Sequence, residues 1–75
     1  MKKEIKKLIK DYENDIKDTE INIKSLADEL KDALLSKAGD TVIRMIKRDV
    51  LINETRRMTY IRIKYELLEI LENDL

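Results

Sequence analysis

An all-α fold is predicted: an antiparallel two-helix hairpin that pairs with a second copy into a four-helix bundle. Three observations carry this reading. The 75 residues include no proline and a single glycine, and 43% of them are charged. The apolar residues recur at steps of three and four, the spacing that repeats one face of a helix. The glycine, Gly39, lies near the middle of the chain, where a hairpin turns. Such a composition favours long helices over sheets, and its apolar content is too high and too regular for disorder.

The first helix is predicted over about residues 2–37. From Ile5 the steps alternate between four and three through Ile9, Tyr12, Ile16, Thr19, Ile23, Leu26, Leu30 and Ala33. This is a heptad seam, flanked by Leu8, Ala27 and Leu34. A turn follows at about residues 38–41. Glycine past a helix end can adopt the left-handed conformation that stops it, and Asp40 or Thr41 can cap the next helix. The competing arrangement is one unbroken helix of about 110 Å, since an isolated glycine costs only about 1 kcal/mol.

The second helix is predicted over about residues 41–74, and it differs from the first in carrying two apolar faces. One stripe holds Ile43, Ile46, Val50, Met58, Ile61, Tyr65, Leu68 and Leu75, with a heptad stutter around Glu54. At 100° per residue a second stripe falls roughly opposite: Val42, Met45, Ile52, Tyr60, Ile63, Leu67 and Ile70. A hairpin closes with one stripe per helix. The second is therefore predicted to be an interface with another copy or another protein.

The charges favour an antiparallel arrangement. Residues 1–10 carry five lysines and Glu4, whereas residues 66–75 carry four acids and no base. In the middle the signs exchange, with residues 11–34 net −5 and residues 44–64 net +5. Exposed pairs are each worth about 0–1 kcal/mol, so this pattern selects orientation more than it adds stability.

Chemistry is hard to place on this chain. There is no cysteine and no histidine, so metal staples, disulfides and the common nucleophile–base pairs are excluded. Neither Ser25 nor Ser36 has a histidine to activate it, and no glycine-rich loop is available for phosphates. The acids Asp11, Glu13, Asp15, Asp18 and Glu20 lack the glycine of a calcium loop and read as a solvated helix face. Glu29 and Asp32, with Glu66 and Glu69, are carboxylate pairs of the kind that hold magnesium between facing helices. The hairpin places Glu66 and Glu69 beside Asp11, far from Glu29. A non-enzymatic protein without cofactor or metal is expected.

All five arginines lie on the second helix, and Arg44, Arg48 and Arg62 share its narrow polar strip, the candidate polar contacts. A zero formal charge argues against nucleic acid as the general partner. No stretch approaches the roughly 18 apolar residues of a membrane span. The lysine-rich start leads into Asp11 and Glu13 rather than an apolar signal core, so a cytoplasmic protein is expected. Eleven isoleucines and eleven lysines imply an AT-rich gene, as in low-GC bacteria and their phages.

Together these features predict a homodimeric protein-interaction module, a small phage or mobile-element accessory or regulatory protein that binds a larger host protein. The alternatives are a nucleic-acid-binding accessory using the arginines and a structural oligomerisation segment.

Overall fold

The computed structural model describes residues 1–73, and these form two antiparallel helices. Helix α1 spans Lys2–Leu35 and helix α2 spans Asp40–Asn73, 34 residues each. The hairpin is a rod 56 Å long and 14 by 12 Å across, measured between Cα atoms. Three contacts fix its register. The Tyr12 and Tyr60 rings lie 5.8 Å apart at 45°. Arg57 Nε stands 3.6 Å from a Glu20 carboxylate oxygen. The Asn22 side-chain amide donates to Asn53 Oδ1 at 3.5 Å.

The nine predicted seam positions of α1 are all buried or half-buried, with Ile9 and Thr19 the most enclosed. A buried threonine is tolerated because its hydroxyl donates to the Ile16 carbonyl at 2.7 Å, leaving no polar atom orphaned.

The turn falls two residues earlier than expected, and its chemistry differs. Lys37, not Gly39, adopts the left-handed conformation, with φ 56°. The Ala38 N–H donates to the Ala33 carbonyl at 2.9 Å and the Lys37 N–H to that of Leu34 at 3.3 Å. These two bonds define a Schellman motif with Lys37 at the residue after the cap. Ser36 adds a hydroxyl bond to the Ala33 carbonyl at 3.2 Å. Gly39 has no positive φ and instead precedes α2, its carbonyl accepting from the Ile43 N–H at 3.2 Å. Asp40 is therefore the first helical residue rather than the cap, and its charge suits the positive end of the helix dipole.

A side chain in the left-handed region costs roughly 1–2 kcal/mol against glycine. Lys37→Gly is therefore expected to raise the thermal midpoint, by about 4–8 °C per kcal/mol gained in a domain of this size. A lowered midpoint on thermal melting would count against the Schellman assignment.

Helix α2 departs from expectation beyond Val50. The stutter does not occur. The seam continues by heptads through Ile43, Ile46, Val50, Asn53, Arg57, Tyr60, Lys64, Leu67 and Leu71, all buried or half-buried. Met58 and Tyr65, predicted to line it, are 69% and 63% exposed. Ile61 and Leu68 flank it, half-buried, and Leu75 lies outside the described residues. The cause is mechanical: α1 supercoils on an unbroken heptad, and α2 stays in contact only by keeping the same period. The cost is three polar residues facing the partner. Asn53 pairs with Asn22 and donates to the Asp49 carbonyl at 2.9 Å. Arg57 reaches Glu20. Lys64 can lay its aliphatic stem along the seam with its ammonium in water.

Candidate interaction surface

Heptad geometry gives the hairpin two broad faces, one on each side of the seam. On α2 one flank carries Leu51, Met58, Ile61, Tyr65 and Leu68. The opposite flank carries Val42, Met45, Ile52, Ile63 and Ile70. Only a back strip of Arg48, Thr55, Arg62 and Glu69 separates them. Glu20 and Asn22, which reach α2 from opposite sides of the seam, confirm the division.

The predicted second stripe is thus only partly free. Val42, Met45, Ile52 and Ile70 are exposed, Met45 most of all at 58%. Ile63 is half-buried on the same flank. Tyr60 and Leu67 do not belong to it: they are seam residues, and Tyr60 packs on Tyr12. Apolar residues alone had suggested a phase that the polar seam residues shift by about one position. The flank with Leu51, Met58 and Tyr65 is the part of the surface that sequence reasoning missed. Its signal was present in the seven-residue spacing of those three side chains.

Arg44, Arg48 and Arg62 are all exposed, and Arg62 makes only a long contact within its own helix, 3.9 Å to Glu66. They sit on or beside the back strip without converging on one point. A groove of about 400 Å³ opens on the missed flank, lined by Glu20, Ile23, Lys24, Glu54, Arg57 and Met58. It is shallow and mixed in polarity.

Helix α1 gives the two faces opposite electrical character. Beside the missed flank it presents Lys3, Lys10, Lys17, Lys24 and Lys31, one every seven residues. On the other side it presents Glu4, Asp11, Asp15, Asp18, Glu29 and Asp32. Four of the five lysines are followed directly by one of those acids, as Lys3–Glu4, Lys10–Asp11, Lys17–Asp18 and Lys31–Asp32. Three ion pairs form among the described residues, none involving a lysine. Apart from Glu4, which the N-terminal ammonium approaches at 3.5 Å, both ladders are thus available to solvent or to another molecule.

The chain bears much surface for its mass. A compact 8.9 kDa monomer exposes about 4,800 Å², whereas this hairpin exposes 6174 Å². Among the described residues no group of three potential ligands could hold a metal ion, and no helix is long and apolar enough to cross a membrane.

These features define a class of structure, an all-α helical hairpin with exposed apolar flanks on α2. No protein-family model matches the chain, and neither the curated proteins nor the solved structures include a significant match.

Proposed function

We propose that the protein is a non-enzymatic protein–protein interaction module whose working surface is the pair of apolar flanks of α2. In its simplest form two hairpins associate through these flanks into a four-helix bundle. The larger reading is a small accessory or regulatory protein of a phage or mobile element that engages a host protein with the same surface. The observation that carries this is the exposure of Val42, Met45, Leu51, Met58 and Tyr65 along a single helix. A run of apolar side chains of that length on both sides of one helix is the usual mark of an interaction site.

The hairpin's surface exceeds that of a compact monomer by about 1,400 Å², more than the roughly 800 Å² that each partner contributes to a standard interface. Light scattering on a gel-filtration column over a hundredfold concentration range tests the idea. An assembly heavier than one chain is expected, and Met45→Asp should weaken it at least tenfold while leaving the helical circular dichroism unchanged. Met45 is clear of the seam, so a lost assembly would not reflect a lost hairpin. A mass of one chain at every concentration would remove self-association. An oligomer indifferent to Met45→Asp would remove the flank bearing Met45.

A further inference from the structure

The two faces of the hairpin differ in charge in a way that bears on how a second copy can dock. Counting the α1 residues on each side of the seam, the lysine face carries six lysines and two glutamates, whereas the acidic face carries six acids and no base. The α2 residues on these faces nearly cancel: Arg44 and Lys47 against Glu54 and Glu72 on one, Asp49 and Glu66 against Arg56 on the other. The chain as a whole has zero formal charge. It is a neutral rod with a positive and a negative face, each next to an apolar flank of α2.

We propose that the partner is a second copy of this chain, docked with its acidic face on the lysine face of the first, the two hairpins lying parallel and α1 above α1. This rests on the self-association proposed above and specifies its geometry. In this arrangement the flank with Leu51, Met58 and Tyr65 meets the flank with Val42, Met45 and Ile52 of the next copy. The lysine ladder meets the acidic ladder along α1. The register follows from the sequence: Lys10 and Asp11, Lys17 and Asp18, and Lys31 and Asp32 are neighbours in the chain. Their heights along the helix axis differ by only about 1.5 Å. An in-register second copy therefore brings three acids level with three lysines at once.

The alternatives lose this match. Rotating the second copy by half a turn about the face normal sets the lysines over its apolar flank. A two-fold dimer through the acidic faces with α1 over α1 brings like-charged ladders together, and one through the lysine faces does the same. The favoured contact is heterologous, using different patches on the two copies, so it does not close at two. Each pair leaves one lysine face and one acidic face available, and assembly continues with concentration.

Two charge-reversal variants test this. Lys10→Glu, Lys17→Glu and Lys24→Glu together leave both faces acidic. Asp11→Lys, Asp15→Lys and Asp18→Lys together cancel the acidic face, leaving three lysines against Glu4, Glu29 and Asp32, so that only the basic face keeps a net charge. These residues are exposed and outside the seam, so the hairpin should persist, which circular dichroism checks. Light scattering of the wild-type chain should show a mass that keeps rising with concentration. Each variant alone should need roughly tenfold or more higher concentration to associate, given the small worth of each exposed pair. An equimolar mixture should recover association near the wild-type range.

Weakening of both variants alone, with recovery in the mixture, would not follow from loss of folding or from a contact that uses one face twice, because only one of the two reversals touches such a contact. A wild-type mass that levels off at two chains and is unmoved by the lysine reversals would overturn the heterologous geometry and leave the dimer standing. A wild-type mass of one chain throughout would overturn both.

Discussion

Replacing Ile46 by Asp is expected to abolish the cooperative unfolding transition of the hairpin. Ile46 and Ile9 are the only buried apolar residues among those described, each under a tenth exposed. The register places Ile46 level with Leu26 and Leu30, in the most apolar part of the seam. Truncating a buried isoleucine costs about 2–5 kcal/mol, and an unpaired carboxylate adds a desolvation penalty. A single core in a chain this short rarely supplies more than about 3–5 kcal/mol in total, so the substitution consumes the whole margin. Thermal melting followed at 222 nm measures it. A sigmoidal transition within a few degrees of wild type would contradict the placement of Ile46 in the seam. Met45→Asp is the internal control: it introduces the same charge one residue away on an exposed flank and should leave the transition intact.

The second large effect has the opposite sign. Asn53→Leu combined with Arg57→Leu should raise the thermal midpoint by about 5–15 °C, corresponding to a gain of roughly 1–3 kcal/mol. The partners left behind, Glu20 and Asn22, are exposed and remain solvated, so no buried polar group is orphaned. New apolar area in the seam replaces contacts at 3.5 and 3.6 Å that lie in contact with water. The same change removes the two polar contacts that mark where α2 must sit against α1. Seam polar residues of this kind trade stability for register. A midpoint that falls would show that the polar pairs contribute more than their exposure implies.

The seam of helix α1 is fully legible because it is apolar or small at every heptad position from Ile5 to Ala33, so periodicity and burial coincide. Helix α2 was legible only as far as Val50. There the hydrophobic pattern and the heptad part company: Met58 and Tyr65 are apolar but outside, while Asn53 and Lys64 are polar but inside. Reading apolar residues alone follows the wrong set. What decides the phase is the regular period of α1, a constraint from across the hairpin that α2 cannot display in its own residues. The turn shows the same limit on a smaller scale. Glycine is the preferred residue for a left-handed cap, yet the hydrogen bonds to Ala33 and Leu34 place that conformation at Lys37. The lysine and acid ladders were readable from the recurring Lys–acid dipeptide. Their separation onto two faces required the seam.

The seam also sets the order in which the hairpin forms. Every layer of side chains touches only the layers above and below it, so the closure entropy of each step depends on its distance from the four-residue turn. The layers nearest the turn, with Leu26, Leu30, Ile43 and Ile46, combine the shortest loops with the greasiest contacts and zip first. Propagation then meets the polar step at Thr19, Asn53 and Arg57 before it reaches Ile9, Tyr12 and Tyr60. Amide exchange should accordingly be slowest near the turn and show a break in protection at that step, so that the outer half of the rod opens as a unit while the inner half stays closed.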